Sequence, residues 1–176
     1  MSLESLKQRC IDDLVSIVGA WPRALSRHDL PIDQAPPDGS WSPCELALHV
    51  VLSLETVADG FARGLASGFE VSPGPTLEQS WLRVTVLTTF RIPPRWTSPE
   101  DWRPGLILPP HELEARFERA RAAYLPLLSL VGRERREAWL GHPRLGPLRF
   151  DEFLRFLYVH SLHHLRLLRQ AGAAGS

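Results

Sequence analysis

Four long stretches of this chain place apolar residues at helical spacing, and that pattern constrains the fold more than any other feature. The first stripe is Leu3, Leu6, Cys10, Leu14, Ile17, Trp21 and Leu25, and it ends near His28. The second is Leu46, Val50, Leu54, Val57, Phe61 and Leu65. The third is Leu113, Phe117, Ala120, Tyr124, Leu127, Leu128 and Val131, with Pro126 expected to kink or shorten it and Gly132 to end it. The fourth runs from about Phe150 to Ala171, through Phe153, Phe156, Leu157, His160, His164, Leu167 and Leu168, with Gly172 after its C-cap. Each stripe needs a partner to cover it. Long amphipathic helices without a convincing sheet predict an all-α four-helix bundle.

The second helix has a written start. Ser42 suits the N-cap, Pro43 the first helical position and Glu45 the third, a capping box with proline where its missing N–H costs nothing. Gly68 suits the stop. Residues 69–110 are broken by prolines and carry Trp81, Trp96 and Trp102. Within them Leu77 to Phe90 is read as a helix, although Val84, Thr85, Val86, Thr88 and Thr89 suit a strand by propensity. This long Pro/Trp-rich crossover is expected to pack over one end of the bundle. His142 to Pro147 has the composition of a turn.

The 176 residues suit a single domain over 1–176. Acidic and basic residues balance at 20 each, which leaves no electrostatic footprint for nucleic acid. No apolar run is long enough to span a membrane, and no signal peptide is indicated. Two cysteines, Cys10 and Cys44, read as free thiols in a reducing compartment. The expected location is cytoplasmic.

The chemistry lies in the histidines. His160 and His164 are four apart, so both imidazoles leave one face of a helix. Both stand where the stripe calls for apolar residues. His49 takes an inward position on the second helix, and packed helices approach to about 8–10 Å. One ligand from one helix can thus meet a pair from another. Three neutral imidazoles leave a coordination position open, the catalytic pattern for a metal. The competing reading is three satisfied core histidines. His163 points about 100° away from His164 and is read as supporting or surface. His142 and His111 are read as structural or solvated, and His28 as a helix-end residue. No glutamate follows His160, so the His-Glu-x-x-His metalloprotease pattern is missing. Glu45 is absorbed by its cap, and Glu55 and Asp59 read as a solvated face.

Two stretches carry a family resemblance. They are Trp41-Ser42-Pro43-Cys44-Glu45-Leu46-Ala47-Leu48-His49, and Gly141-His142-Pro143-Arg144-Leu145-Gly146-Pro147-Leu148 leading to His160-Ser161-Leu162-His163-His164. With the order of the four helices, they resemble the DinB-like superfamily, which includes the YfiT-like metal-dependent hydrolases. The resemblance implies an up-down-down-up four-helix bundle with a long crossover, often dimeric. It implies a divalent metal, zinc or nickel, on His49, His160 and His164. It also implies chemistry that is often dependent on a low-molecular-weight thiol such as bacillithiol or mycothiol. Members often have glutamine three residues after the last histidine; here that residue is Leu167, and Gln170 follows one turn later.

The resulting expectation is a metal-dependent enzyme, a thiol-dependent S-transferase or a hydrolase, acting on a small molecule and forming a homodimer. The alternative is a non-catalytic dimeric bundle with a structural or vestigial metal site.

Overall fold

The computed structural model describes residues 3–27, 31–36, 39–69, 74–93, 96, 98, 102–127 and 139–173, with the side chains of 3–8, 10, 11, 125 and 171–173 excepted. His28, Leu128, Val131 and Gly132 lie outside the described residues.

The fold is helical. Helix α1 spans Leu3–Ser26, α2 Pro43–Ser67, α3 Leu77–Thr89, α4 Pro110–Leu127 and α5 Phe150–Ala173. Helix α1 packs against α4 and α5, and α2 packs against the same two. The first stripe buries Leu14, Val18, Trp21 and Leu25. Trp21 stacks on Phe117 of α4, ring centroids 5.8 Å apart.

Helix α2 begins as its sequence requires. Ser42 Oγ accepts from the Glu45 N–H, and Glu45 Oε2 accepts from the Ser42 N–H at 2.8 Å. Gly68 caps the far end with φ 92°. One stripe was expected, but Ala47, Leu48, Val51 and Ala58 are buried beside Leu46, Val50, Leu54, Val57 and Phe61. The helix has neighbours on several sides (α4, α5 and the crossover), so more than one face is covered.

The 77–90 segment is helical despite its β-branched residues. Thr76 and Gln79 form a second capping box, a start signal that offsets weak propensity. Phe90 closes α3 in the left-handed region. Helix α5 continues through Gly172 to Ala173, so Gly172 does not serve as the cap residue. Leu167 departs from the fourth stripe and is 37% exposed, while Leu168 is buried.

The turn-like stretch before α5 holds more structure than expected. Strands β1 (Trp139–His142) and β2 (Gly146–Arg149) form an antiparallel hairpin, Leu140 opposite Leu148 and His142 opposite Gly146. Leu145 and Leu148 are buried beneath it. Arg83 of α3 donates to the Pro147 carbonyl at 3.3 Å, which ties α3 to the hairpin.

Gly146 is fixed by two constraints at once. Its φ is 70°, and an added Cβ would meet Gln79 Oε1 at 2.9 Å and Pro75 Cβ at 3.1 Å. Gly146→Ala is therefore expected to cost about 1–2 kcal/mol, the ordinary penalty of a left-handed non-glycine residue. A urea titration measures it, and an unchanged midpoint would refute the argument.

Candidate metal centre

Helices α2 and α5 bring the predicted histidines together. His49, His160 and His164 are all buried, and their potential ligand nitrogens lie within 4.8 Å of one another. His160 Nε2 is 2.9 Å from His49 Nε2 and 3.1 Å from His164 Nε2. Two nitrogens held by one ion at about 2.0–2.1 Å stand about 2.9 Å apart at right angles and about 3.3 Å apart at tetrahedral angles. The observed spacings fall in that interval.

The outer nitrogens decide where the protons sit. His49 Nδ1 is 2.7 Å from the Trp102 carbonyl, which only accepts, so Nδ1 carries the proton. Ser53 Oγ donates to the Val50 carbonyl at 2.7 Å, which commits its hydrogen. It is left to accept from His160 Nδ1 at 3.3 Å. Both Nε2 atoms then present lone pairs to each other across 2.9 Å. Two facing lone pairs in a buried site favour a cation between or beside them.

That cation is not readily a proton. Burial drives the pKa of His160 and His164 well down, and the neighbouring histidines add to it. Burial lowers His49 as well, against the opposing pull of the Trp102 carbonyl. Neutral imidazoles with inward lone pairs are the form that binds zinc or nickel. The donor set fits a divalent ion. His164 Nδ1, by contrast, is buried and finds no hydrogen-bond partner among the described residues. Leu167, three residues on and 37% exposed, supplies no polar atom.

The crossover covers the site. Trp96, Trp102, Phe156 and Ile92 line a cavity of about 400 Å³ that opens onto the histidines. The Trp41 ring stacks 6.4 Å from His164 and lies 4.9 Å from His49. Cys44 at the start of α2 is a free buried thiol, and the Leu108 N–H donates to its Sγ at 3.2 Å. This contact pins the end of the crossover to α2. Burial raises the Cys44 pKa, so it is an inert structural thiol.

The other acids and histidines fall elsewhere. Glu45 is in its cap, and Glu55 pairs with Arg116. His111 is exposed. His163 is half-buried and lines the cavity beside His164.

Residues 23–168 match the DinB superfamily across most of the chain. The chain belongs to the DinB superfamily. No curated protein and no solved structure matches it. Among the described residues of this DinB chain, no helix is long and apolar enough to cross a membrane.

His142 was read from sequence as structural or solvated, yet it is 7% exposed and forms part of the cavity wall. Its ring meets Phe156 edge-on at 4.5 Å. Burial, and then the charge of Arg144, lowers its pKa from 6.5 to about 4. A depressed folded value means the unfolded chain takes up the proton first as pH falls. The contribution of neutral His142 is complete above pH 6.5 and lost as pH drops toward about 4, below which it levels off. In full it amounts to about 3 kcal/mol. The urea midpoint of chelator-treated protein is therefore expected to fall between about pH 7 and about pH 4.5, and less steeply in His142→Phe. A flat profile would contradict this account.

Proposed function

We propose that this DinB protein is a divalent-metal-dependent enzyme acting on a small molecule, with His49, His160 and His164 holding one zinc or nickel ion. The observation that carries the reading is the approach of His49 Nε2 to His160 Nε2 at 2.9 Å, with the Trp102 carbonyl and Ser53 Oγ against the far nitrogen of each ring. When bound, such an ion supplies Lewis acidity and brings a water or thiol toward its reactive anion near neutral pH. The chain's own part is to hold the three imidazoles, to exclude bulk water with Trp96, Trp102 and Phe156, and to leave a cavity beside them.

Thiol-dependent transfer is favoured over hydrolysis. Among the described residues that line the cavity none carries a carboxylate to serve as a general base for water. A thiol needs less help to ionise than water does. The expected partners are a low-molecular-weight thiol and a small electrophile, in a cytoplasmic, reducing setting. The test is a screen of electrophiles on zinc- or nickel-loaded protein, with and without bacillithiol, mycothiol or a simple analogue. Turnover that requires both ion and thiol supports transfer; a rate indifferent to thiol supports hydrolysis.

One observation favours a second reading, a dimeric module whose metal site is structural or vestigial. Leu77, Trp81 and Val84 form an apolar stripe on α3 and are 92%, 66% and 60% exposed. Under that reading, chelation lowers the melting temperature and no substrate is turned over. A homodimer is compatible with both.

A further inference from the structure

One donor in the cavity wall stands apart from the three-histidine cluster. His142 closes β1, and its Nδ1 accepts from the backbone N–H groups of Arg144 and Leu145, at 3.2 and 3.1 Å. A nitrogen that accepts carries no proton, so in the neutral ring the proton sits on Nε2. Burial, and then the charge of Arg144, lowers the pKa of the ring to about 4, which keeps it neutral near pH 7. Nε2 meets no hydrogen-bond partner among the described residues, yet it is not shut away from water as the unpartnered His164 Nδ1 is. The residue is 7% exposed and lines the cavity, so its open edge is the Nε2 edge.

This donor and the cluster share their neighbours. The Phe156 ring lies 4.5 Å from the His142 ring and 5.5 Å from the His160 ring. The Trp102 ring lies 6.2 and 6.3 Å from the same two. One molecule in a cavity of about 400 Å³ can therefore meet Nε2–H at one end and the cluster at the other. The rings of Trp96, Trp102 and Phe156 suit a flat apolar body. With its Nδ1 lone pair committed to the turn, His142 can give a hydrogen bond and cannot take a proton. An uncharged donor of this kind suits an uncharged acceptor, and a neutral imidazole N–H is well matched to polarising a carbonyl.

We propose that the cavity takes a flat carbonyl compound and that the Nε2–H of His142 reads its carbonyl oxygen. The inference rests on the small-molecule reading of this cavity and deepens it; it does not require a bound ion.

The test uses the full chain, treated with chelator, and two probes of one shape: acetophenone, and α-methylstyrene, in which a methylene replaces the carbonyl oxygen. Nitrogen-15 NMR of the histidine rings is the first readout. His142 is expected to be protonated at Nε2 in the free chain, and acetophenone alone is expected to shift that Nε2–H signal. By NMR titration, acetophenone is expected to bind about 5- to 10-fold tighter, the size of one neutral hydrogen bond. His142→Phe is expected to bring the two affinities together, and His142→Gln to restore part of the preference. A proton on Nδ1, an unmoved Nε2–H signal, or a preference that survives His142→Phe overturns the proposal. So does a preference that appears only after zinc is added, which would put the oxygen on the ion. Equal binding of the two probes overturns the role of His142 and leaves the small-molecule reading standing; binding of neither removes both. The NMR readout needs no variant, so it decides even where a substitution unfolds the hairpin.

Discussion

His160→Ala is expected to take the metal content of the purified protein from about one equivalent per chain to none. His160 is the hub of the cluster: its Nε2 is within 2.9 Å of one ligand nitrogen and 3.1 Å of the other. Removing it leaves His49 and His164 alone, one on each of two helices. Loss of an outer hydrogen-bond partner costs about 10–100-fold in affinity, and loss of a ligand costs more. Ser53→Ala therefore gives the graded control. It deletes only the acceptor for His160 Nδ1, so affinity is expected to fall about 10–100-fold while stoichiometry at saturating ion is kept. Mass spectrometry of wild type and both variants, after incubation with zinc or nickel, measures all of this. Equal content in wild type and His160→Ala would place the ion elsewhere. No ion in wild type would leave three buried histidines in a helical interaction module.

The largest stability effect is expected at Phe61. It is fully buried on α2. Its ring meets Phe150 at 4.7 Å, Phe153 at 5.8 Å and Phe69 at 6.0 Å. The first two of these contacts join α2 to the first turn of α5. Phe61→Ala removes a large apolar group and leaves a cavity, at a cost of about 3–5 kcal/mol. Against a typical total of about 5–15 kcal/mol, that is a large fraction. Urea unfolding of metal-free protein gives the value, and a loss below about 1 kcal/mol would mean that the aromatic cluster collapses to fill the space. Metal affinity is expected to fall with it, because α5 loses part of the footing that aligns His160 and His164.

The helices were readable because their burial repeats every 3.6 residues and their ends are chemically marked. Ser42, Pro43 and Glu45 announce α2 whatever surrounds them. The His160–His164 pair is readable for the same reason, since spacing on one helix is local information. The hairpin was not readable. Its strands, Trp139–His142 and Gly146–Arg149, are four residues each and contain glycine and proline, so alternation has no room to show. Their stability comes from Leu145 and Leu148 packing inward and from contacts with α3. The burial of His142 was hidden with them. Its burial depends on Trp96 and Trp102, which are distant in sequence and near only after the crossover folds. Thr76 and Gln79 are different, because their spacing carried a helix-start signal that removes the strand alternative for α3. Leu167 fell on the predicted stripe because a single period cannot locate the edge of a buried face.

The bond from His49 to the Trp102 carbonyl spans 53 residues, and the approach of His49 to His160 spans 111. An arrangement drawn from such separated parts exists only once α2, the crossover and α5 have all docked. A nascent chain released before α5 is made has two of its three imidazoles missing and no pocket. Uptake of an ion would then act as a check on finished synthesis, since it rewards only the completed native state by mass action. Resistance to proteolytic turnover in the cell would rise with the supply of that ion, and the abundance of the protein would follow metal availability without any change in transcription.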